Sequence, residues 1–271
     1  MANTVKIKYR TTLVSFFDLL GFRELVRKES PERIASYLGL FRASGEIEEL
    51  TATTFEARSF QFSDCIVRMM PLDSEANRGC PSGLLFSEVL TIVHACLEMA
   101  NRGVPVRGGL TLGDAYFSGS TMFGPAMVRA YELESRLAVY PRVIIDPQLI
   151  DALGREPLLK KDTHSVSEEA DYLRKLLRLD SDGLWFVDFL YAARNEVDDP
   201  EQYLELLSNN KRHLEEALAD RKILDEVALK ALWSARYHNR VLDQLITEHV
   251  YSDVDAFRIA IPLRLVAVLP E

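Results

Sequence analysis

Two apolar, strand-like stretches are each interrupted by a single aspartate, and they limit what the chain can build. The first is Val14-Ser15-Phe16-Phe17-Asp18-Leu19-Leu20-Gly21-Phe22. The second, its aspartate 46 residues further on, is Phe60-Gln61-Phe62-Ser63-Asp64-Cys65-Ile66-Val67. β-Branched and aromatic residues favour strands, and a carboxylate buried without a partner is costly. A fold that takes in both segments must bring positive charge to these aspartates, and a divalent metal is the economical candidate.

The surrounding pattern sets the frame. Thr11 to Phe17 reads as a buried strand ending at Asp18, with a helical pattern after Gly21. Ile34, Leu38, Phe41 and Ile47 keep helical spacing between Pro31 and about Glu49. Phe55 to Met70 reads as two strands joined by a tight turn at Ser63-Asp64. Residues 71–83 are a loop by composition, and Leu84 to Asn101 is a long helix. Gly103 stops that helix, and Pro105 opens a strand through Leu112, with a hairpin turn expected at Gly113-Asp114 before Ala115 to Ser118. Gly124 to Ala138 is helical with Pro125 in its first turn, and Val143 to Ile145 is a short buried strand.

Strands and helices alternate, but two strand pairs read as hairpins. The expected fold is therefore an α/β sandwich with a mixed or antiparallel sheet flanked by helices, not a doubly wound parallel sheet. The pattern turns helical after about residue 155, at Leu173 to Leu177, Tyr203 to Leu218 and Ile223 to His249, and a strand-like run returns from Phe257 to Val268. Two units are expected: residues 10–150, and a mainly helical extension over residues 151–271 packed on the first.

With 271 residues, 48% of them hydrophobic, the chain can bury a sizeable core. A net charge of -9 argues against a general nucleic-acid or anionic-membrane binder. No apolar run reaches the roughly 18 residues of a membrane span, and Met1 to Arg10 lacks an apolar signal core. Cys65, Cys80 and Cys96 are odd in number and widely spaced, suggesting neither a disulfide framework nor a zinc site. The expected setting is the reducing cytoplasm.

The chemistry gathers in four places. Asp18 ends a strand before a turn in which Gly21 permits close approach, and the backbone of such a turn can cradle phosphate. Asp64 sits in a hairpin turn that adjacent strands can bring to the same sheet end. Two carboxylates plus phosphate oxygens form the ligand set that magnesium or manganese prefers. Arg107-Gly108-Gly109-Leu110-Thr111-Leu112-Gly113 is a strand thinned by glycine. Phe123-Gly124-Pro125-Ala126-Met127-Val128-Arg129-Ala130-Tyr131-Glu132-Leu133-Glu134 is a helix whose polar face can carry Arg129 toward a ligand.

In this order, over roughly residues 10–146, the four pieces resemble the class III nucleotidyl cyclases. The resemblance implies two divalent ions, Mn2+ or Mg2+, held by Asp18, Leu19 and Asp64 on a nucleoside triphosphate. It implies attack of the ribose 3′-hydroxyl on the α-phosphate, with pyrophosphate leaving. Phe17, Leu19, Leu20, Gly21 and Phe22 would line the triphosphate, Arg107 and Arg129 would contact the ligand, and Arg129 would be catalytic. The family's arrangement further implies a head-to-tail homodimer with two composite sites at its interface.

The departures from the family narrow the expectation. Adenylyl and guanylyl cyclases commonly carry a purine-reading Lys or Glu four residues before the second aspartate; here that position is Phe60. The partner base-reading position falls on Thr121. The family's helical Asn-x-x-x-Arg pair aligns with Val128 and Glu132, and Arg129 lies one position off. This divergent set is similar to the pyrimidine cyclases of bacterial antiphage (Pycsar) defence, with their Phe-x-Asp-Leu-Leu-Gly-Phe start, Arg-Gly-Gly strand and Arg-Ala-Tyr-x-Leu-Glu helix. That similarity implies UTP converted to 3′,5′-cyclic UMP, sensed by a separate effector. The alternatives are CTP converted to cyclic CMP, a purine cyclase with an unorthodox base pocket, and a degenerate module that binds nucleotide without turnover.

Each residue also has a plainer reading. Asp18 could cap a helix, Asp64 could simply make a turn, and Gly108-Gly109 could serve sheet packing. Arg107 could be a surface ion-pair residue, and Arg129 could pair with Glu132 on its own helix. His94 reads as a satisfied core or interface histidine, Trp233, Tyr237, His238 and Asn239 as packing, Met69-Met70 as core, and Glu46, Glu48 and Glu49 as solvated surface.

Overall fold

A computed structural model describes residues 7–46, 53, 56–78, 82–220, 225–251 and 253–262. Its centre is β1 (Arg10–Leu19), paired antiparallel with β3 (Cys65–Pro71) on one side and β4 (Val106–Ser118) on the other. β1 is buried on both faces from Thr12 to Phe17, which is why its apolar residues fall on both faces instead of alternating with polar ones. Leu13, Phe17 and Leu19 face one layer, and Val14 and Phe16 face the other.

With β2 (Arg58–Phe62), β5 (Thr121–Phe123), β6 (Val143–Ile145), β7 (Leu177–Leu179) and β8 (Trp185–Val187), the strand order is β2-β3-β1-β4-β6-β8-β7, with β5 hairpinned onto β4. The β4–β6 pair is parallel and the remaining pairs are antiparallel. The chain is thus an α/β protein with a mixed sheet flanked by helices, as the hairpin pattern implied.

Helix α1 (Phe22–Lys28) follows β1 directly, and α2 (Pro31–Gly45) begins at Ser30, whose hydroxyl accepts the Arg33 N–H. A short α3 (Glu75–Arg78) precedes α4 (Leu84–Ala100). Helices α2 and α4 cover the Phe17 face, where Phe41, Val89 and Ile92 complete the core. A buried polar link crosses this layer: Ser15 Oγ donates to Glu88 Oε1 at 2.6 Å, and Arg68 pairs with Glu88 at 2.9 Å.

The other face carries α5 (Pro125–Glu132), which runs into a wider π-type turn at Leu133–Leu137. Gly109 of β4 makes this contact possible, while Gly108 lets β1 lie close alongside. A Cβ on Gly109 would lie 2.3 Å from Leu133 Cβ, and one on Gly108 would lie 2.4 Å from the Phe16 carbonyl oxygen. The plain packing role of these glycines is therefore real.

The rest of the chain adds α6 (Pro147–Ala152), α7 (Val166–Leu173), the strands β7 and β8, a short α8 (Phe189–Ala192), and the long helices α9 (Pro200–Ala219) and α10 (Asp225–Thr247). β8 pairs with β6, so this segment lengthens the central sheet before its helices pack. Arg142, 2% exposed, meets Asp180 and Asp182, and Trp233 Nε1 donates to Asp180 at 2.9 Å. Trp233, Tyr237 and His238 are buried packing residues, Met69 and Met70 are core, and Glu46 pairs with Arg42 on the surface. No described helix is long and apolar enough to cross a membrane.

Several expectations changed. β4 runs straight through Gly113-Asp114, because both pair with β1 (at Thr12 and Thr11) and Gly113 packs on Ala126. The turn falls instead at Gly119, which has φ +57. Leu177, expected in a helix, opens β7, since its ladder with β8 outweighs local propensity. Phe257 closes a 3₁₀ turn (Val254–Phe257), and residues 258–262 have no regular structure. His94 is half exposed and bonds Glu196 at 3.0 Å, so it bridges α4 to the later segment from the surface. The readings on Ile47, Glu48, Glu49, Phe55, Cys80, Ile223 and residues 263–268 lie outside the described residues.

Candidate active site

The register of three strands assembles the site. Asp18 stands opposite Cys65 on β3 and opposite Arg107 on β4. The β2–β3 hairpin turns through Ser63-Asp64, with Ser63 at φ +54, and the Asp64 carbonyl accepts the Leu19 N–H at 3.2 Å. Asp18 and Asp64 therefore share one end of the sheet, as expected. Asp18 caps no helix: α1 is capped by Gly21, at φ 86.

The positive charge that burial demands beside Asp18 is a guanidinium. Arg107 Nη2 lies 3.3 Å from Asp18 Oδ2 and 2.6 Å from Glu134 Oε1. Glu134 is 2% exposed and enters from the π-type turn. Sequence spacing places Glu134 in the helix motif and assigns it no role. Its only signal is a second carboxylate two residues after Glu132 in Ala-Tyr-Glu-Leu-Glu, and the wide turn that aims it inward has no recognisable pattern.

Two carboxylates on one guanidinium leave the cluster short of positive charge. Burial raises the Asp18 carboxyl above its ordinary value; Arg107 pulls it back in part, and Asp64 pushes it further up. Burial also lifts Glu134 to about 7, against the pull of Arg107 and with the help of Asp18. The Cys65 thiol, half-buried and beside these acids, is pushed up to about 12, so it stays protonated and is no nucleophile. Asp18 Oδ1 is buried with no hydrogen-bond partner. The Asp64 carboxylate has no hydrogen bond or ion pair among the described residues.

That orphaned oxygen and an all-oxygen donor set suit a hard divalent cation. Among the described residues, no three His, Cys, Asp or Glu side chains gather closely enough to cage an ion by themselves. Magnesium does not require such a cage, since it is usually held by one or two carboxylates plus substrate phosphates.

The other expected site residues fall in different places. Phe17 and Leu19 turn their side chains into the opposite core, Phe17 against Phe41 at 5.6 Å, which leaves their main chains at the site. Leu20 N–H is taken by the Pro105 carbonyl at 2.8 Å, while Gly21 and Phe22 have no main-chain acceptor among the described residues. Phe60 lies on the Asp18 face of the sheet, half-buried beside Val67. Thr121 is exposed at the far hairpin, where Ser118, its partner, is eleven residues along β4 from Arg107, or roughly 35 Å.

Arg129 does not pair with Glu132, which meets Arg136 instead. It grips buried Asp146 through two bonds, Nε to Oδ2 at 2.8 Å and Nη2 to Oδ1 at 3.0 Å. Asp146 also accepts from Thr111 Oγ1 at 2.7 Å and caps α6 through the Gln148 N–H. Burial opposes its ionisation, yet Arg129 and Thr111 outweigh it and hold the carboxyl below its usual range. Thr111 is four residues from Arg107 along β4, so within one chain Arg129 is anchored about 13 Å from the Asp18 register.

Beside the acidic cluster the same sheet face carries exposed aromatics. Phe62 and Tyr131 are 47% and 52% exposed and flank Phe16 at ring distances of 6.3 and 5.7 Å. Val128, on the same helix as Tyr131, is also exposed.

No family model matches the sequence, and no curated protein matches it. Among solved structures, the chain is similar to the guanylyl cyclase Cya2 at 13% identity, over 68% of this chain and 94% of that one, with a TM-score of 0.41. A bacterial light-regulated adenylyl cyclase matches at 15% identity over 51% and 76% of the two chains, with a TM-score of 0.36. The catalytic core of a rhodopsin-guanylyl cyclase with converted specificity, in complex with ATPalphaS, matches at 12% identity over 68% and 98%, also at 0.36.

Proposed function

We propose that the protein is a metal-dependent nucleotidyl cyclase acting on a pyrimidine nucleoside triphosphate, UTP first and CTP as the alternative. The observation that carries this reading is the convergence of Asp18, Asp64 and Glu134 at one sheet end, with a buried carboxylate oxygen left unpartnered. The products are the 3′,5′-cyclic nucleotide, which signals to a separate effector in cytoplasmic antiviral defence, and pyrophosphate.

Asp18, Asp64 and the main chain of Leu19 would hold divalent ions, manganese or magnesium. When bound, such ions neutralise the triphosphate and make the ribose 3′-hydroxyl easier to deprotonate. The Gly21-Phe22 main chain offers N–H groups to phosphate oxygens. Arg107 keeps the Asp18 and Glu134 carboxylates aligned, and bound cations would share Asp18 with it. Glu134, whose carboxyl sits near neutrality, can take a proton at Oε1 or Oε2 at working pH. Phe60 offers a ring and no charge where a purine would need one.

A head-to-tail homodimer would complete the site. Phe62, Tyr131 and Val128 form the exposed apolar rim that such a partner would cover, and the second chain would bring Thr121 and Arg129 to the base and phosphates. A second reading, a nucleotide-binding module without turnover, draws on one observation: Arg129 is already held by Asp146.

The test is incubation of the purified protein with each of the four NTPs and Mn2+, with products identified by mass spectrometry. A cyclic pyrimidine nucleotide is expected. A cyclic purine product would remove the pyrimidine assignment, and no cyclic product from any NTP would leave the non-catalytic reading.

A further inference from the structure

Protein interiors hold few voids larger than a water molecule. Here a cavity of about 350 Å³ opens where the end of β1, the C-terminal end of α4 and the start of β4 meet helices α9 and α10. It lies on the far side of the sheet from the acidic cluster, since Val106 on its wall faces opposite to Arg107. Small residues on separate elements keep it open: Ala100, Gly103, Ala217 and Ala231 all stand on its wall. Leu25, Leu214 and the ring of Tyr237 make the lining mainly apolar, and the volume is that of a small-molecule site.

The charged groups on the lining are not equally paired. Glu24 and Glu29 stand on the lining too, but each is paired with an arginine that does not line it, Glu24 with Arg27 at 2.7 Å and Glu29 with Arg33 at 3.0 Å. Lys28 and Lys230 also line the cavity, and neither has an ion-pair partner among the described residues. His213, packed against Gly103, is kept toward neutral by burial and by Arg212 beside it. The cavity thus offers an apolar body and two lysines without ion-pair partners among the described residues.

We propose that this cavity binds a small amphipathic monoanion, a straight-chain carboxylate, with its tail among the apolar wall residues and its head group drawn to Lys28 and Lys230. Leu20 and Val106, both on the wall, adjoin Leu19 and Arg107 of the acidic cluster, so the ligand rests against the underside of that site.

Isothermal titration of the full chain with decanoate, below its micellar range and without nucleotide, tests the proposal apart from any turnover. Saturable one-to-one binding is expected. Decanol, with the same tail and no charge, should bind at least about tenfold more weakly. The surface pair Lys28→Gln/Lys230→Gln should lose about the same factor, and Ala217→Met, which adds bulk at the wall, should lose binding while melting as the wild type does. The proposal falls if decanoate does not saturate, if decanol binds as tightly, or if both variants bind decanoate unchanged.

Discussion

Glu134→Gln probes the acidic cluster through a property that does not depend on substrate. In the native chain Glu134 is 2% exposed, beside Asp18, with one guanidinium between them. Its carboxyl gives up a proton only at about 7, against an ordinary value of 4.5. Between those values the unfolded chain has lost a proton that the native state still holds. Native stability therefore falls as pH rises through this window, and no further above it. The ionised form is disfavoured by roughly 3 kcal/mol.

Glutamine mimics the protonated carboxyl and never ionises. The variant should match the wild type near the ordinary carboxylate pKa and exceed it by roughly 3 kcal/mol in mildly alkaline buffer. For a chain of this length that is about 5 °C in Tm. Calorimetry in EDTA across the window measures it, with the wild type as the reference for every other titrating group. Tm profiles that stay parallel would refute the reasoning. Added Mn2+ should raise the wild-type Tm more as pH climbs, because binding recruits the ionised carboxylates, and this gain should shrink in the variant. The substitution then raises stability while weakening the site, the trade expected where charges are crowded for function.

Other perturbations separate catalytic from structural roles. Asp64→Ala should abolish cyclic-nucleotide formation yet shift stability by only about 0.5 kcal/mol, because the carboxylate makes no hydrogen bond or ion pair among the described residues; retained turnover would end its role as a metal ligand. Arg129→Gln leaves the buried Asp146 carboxylate without a cation and should cost roughly 3–5 kcal/mol by denaturant titration, and adding Asp146→Asn should recover much of it. A neutral single variant would show that the pair is not structural. His238 is fully buried between Asn210 and the Phe257 carbonyl, and burial lowers its imidazole from 6.5 to about 4. As pH falls from 6.5 toward 4 the unfolded chain takes the proton first, so up to roughly 3 kcal/mol of stability is lost across that window. His238→Gln should flatten this acid limb in a melting series, and an unchanged limb would refute the assignment.

How much of this was legible in sequence follows from the range of the forces involved. Residues that carry their own periodicity announced themselves: β1, the β2–β3 hairpin around Ser63-Asp64, α4 and β6 all lie close to where spacing put them. Gly113-Asp114 misled because a turn signal is local, whereas the ladder to Thr11 and Thr12 is set by a strand about a hundred residues earlier. β7 was hidden for the same reason, its partner β8 deciding what Leu177 does. Glu134 was hidden by a backbone irregularity. The Ala138 N–H reaches back to the Leu133 carbonyl at 2.7 Å, five residues away, and a helical wheel drawn at the ordinary period puts the wrong face inward.

The burial argument at Asp18 shows where such reasoning stops. A carboxylate in an apolar strand demands a cation, and that demand was correct. It fixes a sign of charge and an approximate position but no chemical species. Arg107 meets part of it from 89 residues away, because β1 and β4 are cross-strand neighbours at that row. Glu134 then reopens the deficit, since three acids share the sheet end with one guanidinium. A protein that needed only to neutralise Asp18 would have no use for a second buried acid lifted to about 7. The surplus negative charge, more than either aspartate alone, is what a divalent cation and a triphosphate would resolve together.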